Sequence, residues 1–478
     1  MRLPSHSTLY ARVLERDPVH DGTFFTGVLT TGIYCLPSCR ARHPKAENVR
    51  FFATSDAARG AGLRACKQCH PDDYAAGADP VLEMVERAVE ELAEEPARFP
   101  DGAALASRLG YGATRAAELC RLHYHATPAE LVTQARLRAL QARLHASPNE
   151  SIATAADAVG FASLSVAHDH CRTRLGMTPA AWRSLQDPAL RRFVVELPRG
   201  LPRARLLDQL GRDPTSLSER RVGPSFACGL WLDGVPVRLV IELRDEDAVV
   251  EFEPVRAAAR PLAPAAWRAA RALTGLGVDV ASFVRHVRRL GHGALVRGRE
   301  GWAGSGTPDP WDALAWAIVG QQINLSFAFR LRRTLAELAG TPVGDGLVAP
   351  PRAASVATLD PARLAERQFS AAKSRTLIGA ARRVADGALD LAALAEGSAT
   401  RAQRALLALD GVGPWTANYV MMRGLGFKDC VPYGDTGVTS ALERLFALAE
   451  RPDAATTRRL LQPFSPWRSL ATFHLWQS

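Results

Sequence analysis

Cysteine is scarce in this chain: there are eight among 478 residues, and four of them fall within the first 69 positions. No apolar run approaches the roughly 20 residues that cross a bilayer as a helix, so a helical membrane span is excluded. The N-terminus, MRLPSHSTLYARVLERD, lacks the apolar core of a signal peptide. A reducing cytoplasm is the expectation, and clustered cysteines are then read as metal ligands or reactive groups before disulfides. Acidic charge is also in deficit, with 49 Asp and Glu against 59 Lys and Arg and a net charge of +10. That imbalance favours a polyanionic partner, of which nucleic acid is the commonest. No lysine lies between positions 374 and 427, and no Pro-Cys-His-Arg tetrapeptide occurs.

What is present points to about three domains' worth of ordinary globular chain, 47% hydrophobic and 23% charged. The cysteine-rich segment pairs Cys35-x3-Cys39 with Cys66-x2-Cys69, the ligand count of a tetrahedral zinc site. Arg40, Arg42, His43 and Lys45 add positive charge beside it. Residues 79–97 read as an amphipathic linker helix, with Val81, Leu82, Val85, Val89 and Leu92 on one face. An internal repeat follows. LCRLHYHATPAEL at 119–131 is echoed by HCRTRLGMTPAAW at 170–182, with Thr127 and Thr178 51 residues apart. Each copy reads as a short helix, a Gly-aromatic turn, a second helix and a Thr-Pro stop. The second helix lies around 113–121 in the first copy and begins near 163–165 in the second. Cys120 and Cys171 fall on apolar helix faces, and Cys228 and Cys430 read as buried thiols.

Beyond residue 188 the pattern turns β-rich, with short strands expected at 192–197, 226–232, 235–243 and 248–253 and helices at 201–211 and 265–273. From 297 helices dominate. The chain's most pointed stretch is 409–435, LDGVGPWTANYVMMRGLGFKDCVPYGD. A helix runs into Gly411 and Gly413, which permit a tight turn, and Pro414 suits the first turn of the next helix. Such a turn aims backbone N–H groups outward, which suits a DNA phosphate. A Gly/Pro loop then delivers Asp435. From its position Asp435 caps the helix that follows, or serves as a reactive carboxylate. Asp429 reads as surface loop.

The hairpin, the Trp-Thr-Ala-Asn-Tyr helix start, the loop ending in Asp435, WAIVGQQINLS at 316–326 and SPWRSLATFHLW at 465–476 together resemble the AlkA-type 3-methyladenine DNA glycosylases of the helix–hairpin–helix class. TTGIYCLPSCRARHP with RACKQCHPDD resembles the N-terminal domain of the Ada family of bacterial alkylation-response proteins. The repeat resembles the paired helix-turn-helix region of AraC-type regulators, and its second copy is the better match. The implied fold is multidomain α+β, mostly α. Residues 1–78 would be the zinc and methyl-acceptor domain and 79–187 the paired helix-turn-helix. Residues 188–295 would be a small α/β domain and 296–478 the all-α glycosylase domain.

The resemblance implies the chemistry. Cys35 would accept methyl from a DNA phosphotriester once only, with Zn2+ held by Cys35, Cys39, Cys66 and Cys69. Losing one thiolate charge from a centre of about −2 would ease DNA binding, so repair would double as a switch. Arg40, Arg42 and Lys45 would face phosphate. In the glycosylase half Asp435 would stabilise the positive sugar as an alkylated purine leaves. Gly411 and Gly413 would touch the backbone, Gln322 or Ile323 would wedge the duplex as the base flips, and Trp415, Tyr419 and Trp476 would hold the cationic base. Trp415 near the hairpin exit, where bifunctional members keep a lysine, implies a monofunctional enzyme with no lyase step, and this half needs no cofactor. Without a Pro-Cys-His-Arg motif, direct repair of O6-methylguanine is not expected. The implied partners are duplex, alkylated and promoter DNA and RNA polymerase, with the protein a nucleoid-associated, cytoplasmic monomer. Thr436 and Gln477 stand where the family often has aromatics, and they leave open a competing reading: a transcriptional regulator whose glycosylase half is an inactive DNA-holding module.

Overall fold

The computed structural model describes residues 3–16 and 20–478. The chain divides into two compact units, Met1–Arg87 and Ala88–Ser478. The first opens on a helix, His6–Glu15, whose N-cap Ser5 accepts the Thr8 N–H. A four-stranded sheet follows: β1 Phe25–Val28, β2 Ile33–Cys35, β3 Val49–Phe52 and β4 Arg64–Ala65, in the order β3-β1-β2-β4. Its core is small, built on Phe25, Tyr34, Leu36, Phe52 and Leu63. A core this size supplies little stability by itself, which is why such domains take a metal staple. Space is tight: a Cβ on Gly27 would sit 2.6 Å from the Phe52 ring. Tyr34 is buried and donates its hydroxyl to Asp72, which also pairs with Arg59 at 2.7 Å.

In the second unit the repeat forms two helix-turn-helix copies. The first is Gly102–Arg108 and Ala113–Tyr124, the second Ile152–Ala158 and Leu164–Leu175, with Pro128–Ala146 between them. The Thr-Pro pairs do more than stop a helix. Thr127 and Thr178 each cap the next helix, with proline in its first turn, and Thr127 forms a capping box with Glu130. Cys120 and Cys171 are buried as expected.

The β-rich region is a five-stranded antiparallel sheet of β5 Arg192–Glu196, β6 Glu219–Val222, β7 Ser225–Leu232, β8 Val235–Leu243 and β9 Asp247–Pro254, ordered β5-β9-β8-β7-β6. Its strand β6 has little apolar content and no strand signal. The second helix-turn-helix copy shares one core with this sheet, through Cys171, Leu175, Trp182, Val195, Ile241 and Trp267. Trp267 donates its indole N–H to Leu175 O at 2.8 Å and meets Trp182 edge-on at 4.7 Å. A hairpin of β10 Thr341–Gly344 and β11 Leu347–Ala349 packs against the sheet through Val343, Leu347 and Ala349 on Ala227. Its sequence, GTPVGDGLVAPP, reads as loop, so sequence did not anticipate it.

A third core runs from Val280 to Leu475. The helix Val280–Arg289, on the N-terminal side of residue 295, contributes the buried Phe283 and Val287 to it. The helices that matter for the site are Pro310–Val319, Leu325–Ala339, Ala371–Ala385, Ala399–Leu407, Pro414–Arg423, Thr436–Leu445 and Arg468–Leu475. No helix among the described residues is long and apolar enough to cross a membrane.

Candidate functional sites

The first site forms where β2 ends. Cys35 closes that strand, a tight loop returns Cys39, and the turn after β4 brings Cys66 and Cys69. Asp21 fixes the first loop, accepting Ser38 N–H at 3.0 Å and Ser38 Oγ–H at 2.6 Å. The four Sγ atoms lie within 4.8 Å of one another, and Cys39 and Cys66 are 4.0 Å apart. Tetrahedral zinc with bonds of about 2.3 Å needs sulfurs about 3.8 Å apart, so the thiol set fits Zn2+. Three sulfurs receive backbone N–H groups: Cys69 from Leu36 at 3.3 Å, Cys66 from Gln68 at 3.4 Å and Cys39 from Ala41. Among the described residues no such donor reaches Cys35, whose sulfur meets only the other thiols. Arg42 and Lys45 are exposed nearby, Lys45 in a loose pair with Glu47 at 3.8 Å, and Arg40 is exposed with a partner of its own.

The second site is built on the helix–hairpin–helix. The helices Ala399–Leu407 and Pro414–Arg423 flank Gly411, whose φ is +76°. A Cβ there would press into Thr376 Oγ1 at 2.1 Å, so glycine is required twice over. Gly413 caps the second helix with extended backbone and open space around it. Asp435 fills the capping role that its position suggested, and its carboxylate is engaged by two further side chains. It caps Thr436–Leu445 by accepting Val438 N–H at 3.0 Å. Its carboxylate also accepts two indole N–H groups, Trp476 on Oδ1 at 2.9 Å and Trp415 on Oδ2 at 3.2 Å. Trp415 stacks on the buried Tyr419 at 5.3 Å, and Tyr419 meets Trp476 at 6.1 Å. Of the three aromatic residues singled out from sequence, Trp415 and Trp476 converge on one carboxylate, and Tyr419 packs against both of their rings.

The turn between Pro310–Val319 and Leu325–Ala339 stands beside the hairpin. Gln322 is exposed at its tip with φ +55°, while Ile323 is half-buried against the core. Sequence reasoning missed what holds this turn. Gln321 donates Nε2–H to Gly411 O at 3.0 Å and to Thr416 Oγ1 at 2.9 Å, tying the turn to the hairpin. Lys373, buried, donates to Val319 O and, at 3.1 Å, to Gln321 O. Burial lowers its ammonium pKa.

Asp429 corrects an expectation. It is not surface loop but 8% exposed, and it grips Arg468 through two contacts of 2.8 Å. Burial opposes its charge, but Arg468 wins and holds the carboxyl down at about 2. Arg468 Nη1 also donates to Tyr433 Oη at 3.2 Å, two residues before Asp435. The partners are 39 residues apart, and no local pattern announces the pair.

A four-thiolate zinc centre, a paired helix-turn-helix and a helix–hairpin–helix core around an indole-bound aspartate define a base-excision repair protein joined to a zinc-bearing DNA-binding module. Residues 8–72 match the metal binding domain of Ada, 105–184 a helix-turn-helix domain, and 315–466 the HhH-GPD superfamily of base excision DNA repair proteins. The probable bifunctional transcriptional activator/DNA repair enzyme AlkA of Mycobacterium tuberculosis is 32% identical over 490 residues, covering 98% of this chain and 95% of that protein. A DNA-3-methyladenine glycosylase of Bacillus subtilis is 35% identical over 175 residues, 36% of this chain and 58% of that one. The solved 3-methyladenine DNA-glycosylase from Archaeoglobus fulgidus shares the fold, with TM-score 0.52 and 22% identity over 60% of this chain and 97% of its own. The chain belongs to the family of bifunctional transcriptional activator/DNA repair enzymes AlkA.

Proposed function

We propose that this protein repairs alkylated DNA in two ways and reports the damage by binding DNA. The observation that carries the glycosylase half is the Asp435 carboxylate, held by the Trp415 and Trp476 indoles beside the Tyr419 ring. A purine alkylated at N3 or N7 is cationic, and aromatic faces attract it once it is flipped from the stack. As the C1′–N bond breaks, its electrons neutralise the departing base and positive charge develops on the sugar. Asp435 stabilises that charge and orients the water whose oxygen bonds to C1′, an O–H bond breaking as the proton passes to the carboxylate and on to solvent. Gln322 fills the gap in the duplex, with Ile323 behind it, and Gly411 and Gly413 hold the backbone. Lys373 is engaged with two carbonyls, and Trp415 stands near the hairpin exit, which supports hydrolysis without a lyase step. The activity is that of a DNA-3-methyladenine glycosylase II.

Cys35 is the methyl acceptor. Its sulfur bonds to the methyl carbon as the C–O bond of the phosphotriester breaks, and a phosphodiester anion leaves. Bound zinc keeps the thiol deprotonated. Arg40, Arg42 and Lys45 face the phosphates. The second helix-turn-helix copy reads the promoter, since Ser163, Leu164, Ser165 and Val166 are all exposed at its helix start. In this reading the protein works as a cytoplasmic monomer and recruits RNA polymerase. Mass spectrometry of the Cys35 peptide after incubation with methylated DNA tests the transfer. One added methyl supports it, and an unmodified Cys35 in a zinc-loaded sample overturns it.

A further inference from the structure

The loop that carries Asp435 is pinned from behind. Cys430 N–H donates to Ser469 Oγ at 3.0 Å, and Ser469 Oγ donates to Phe427 O at 2.8 Å. Ser465 Oγ donates to Asp429 Oδ2 at 2.8 Å, beside the Arg468 pair that reaches Tyr433. Asp435 therefore sits at the end of a clamp made by Asp429, Arg468 and Tyr433.

The first helix-turn-helix copy stands directly against this clamp. His125, the C-cap of Ala113–Tyr124, takes the left-handed backbone (φ 54°, ψ 28°). From there its Nδ1 accepts the Asp429 N–H at 3.2 Å, and its ring meets Phe427 edge-on at 5.5 Å. Burial pushes the His125 pKa down to about 4, so the ring is neutral and Nδ1 is free to accept near neutral pH. The same copy also reaches the first hairpin helix, where His123 Nδ1 lies 2.9 Å from Thr400 Oγ1. Glu130 faces Lys428 at 3.7 Å, and Arg138 pairs with Glu396 at 2.7 Å. At the helix start where a reader would meet bases, Arg115 is occupied by Glu118 at 3.0 Å.

We propose that the first helix-turn-helix copy is a positioning element of the glycosylase: through His125 it fixes the Asp429–Arg468–Tyr433 clamp and with it the placement of Asp435. This rests on Asp435 being the glycosylase carboxylate. A loop-borne catalytic group is sensitive to displacements well below 1 Å, so a contact that fixes its loop is felt in the chemical step. His125 and Arg468 are positioning residues, since neither touches the pocket.

The full-length, zinc-loaded chain tests this with two variants that separate the two contacts of His125. His125→Phe keeps a ring against Phe427 and removes the acceptor. His125→Asn keeps an acceptor at the same reach and tolerates the left-handed backbone. Single-turnover release of 3-methyladenine is measured beside the Kd for a duplex with a tetrahydrofuran abasic site. The expected result is release slowed by about tenfold in His125→Phe, with Kd unchanged and the rate largely restored in His125→Asn. Wild-type release in His125→Phe, or equal loss in both variants, overturns the inference. A wild type that releases no base overturns the glycosylase reading instead.

Discussion

Trp476 donates its indole N–H to Asp435 at 2.9 Å from a helix that begins 33 residues beyond that aspartate. With Trp415 on the other oxygen, the two indoles fix the orientation of the half-buried carboxylate. Trp476→Phe retains the ring and loses the donor. Base release in single turnover is expected to fall by about tenfold, while thermal stability changes little. Unchanged release would separate this bond from function.

The hairpin glycine gives a stability prediction. Gly411→Ala meets both a left-handed backbone and Thr376 Oγ1. A cost of about 1–3 kcal/mol is expected in urea unfolding, with weaker binding to undamaged duplex. Thr376→Ser in the same chain leaves the crowding oxygen in place and should not rescue it.

Lys373→Met removes the cation that holds the last carbonyls of Pro310–Val319 and the turn bearing Gln322. The buried amine makes no contact with the pocket, so the effect is expected on duplex binding and base flipping. Fluorescence of 2-aminopurine opposite the lesion checks this: the flipping signal weakens while the protein stays folded.

Much of this was legible before the structure. The spacing of Cys35, Cys39, Cys66 and Cys69 encodes a cluster, because ligands on two tight turns need only one strand pairing to meet. Asp435, Trp415 and Tyr419 lie on one short stretch, so the grouping of Trp415 with both was readable. The clamp was not. Asp429 and Arg468 meet only because the loop after Pro414–Arg423 packs against the start of Arg468–Leu475, and Asp429 looks like any loop aspartate. The β10–β11 hairpin was hidden by its glycines and prolines, and the bond from Gln321 to Gly411 joins residues 90 apart. Long-range pairing of polar side chains leaves no periodic trace.

Two buried histidines set an acid limit. His474 lies between Leu295 O and Trp302 O, and burial lowers its pKa to about 4; His125 falls to about 4 for the same reason. Their folded values lie below the unfolded value near 6.5, so the unfolded chain binds more protons between the two. Stability is expected to be full above about pH 6.5 and to fall as pH drops toward 4, by at most roughly 3 kcal/mol per group. Asp429 adds a further loss from about pH 4 down toward 2, since its folded value is depressed. Urea midpoints across pH 4 to 7.5 check the first window, and His474→Gln should flatten it.

Zinc removal should affect the two halves differently. The small first unit depends on its metal, with binding worth on the order of 10 kcal/mol to such domains. A chelator is expected to abolish methyl uptake by Cys35 and to leave base release intact.

The most direct test is release of free base from methylated duplex DNA by wild type and Asp435→Asn. The account predicts 3-methyladenine and 7-methylguanine from the wild type and none above background from the variant, with both proteins folded and equally able to bind duplex. Release by Asp435→Asn at the wild-type rate would contradict it. No release by a folded, zinc-loaded wild type would make the C-terminal half a DNA-holding module.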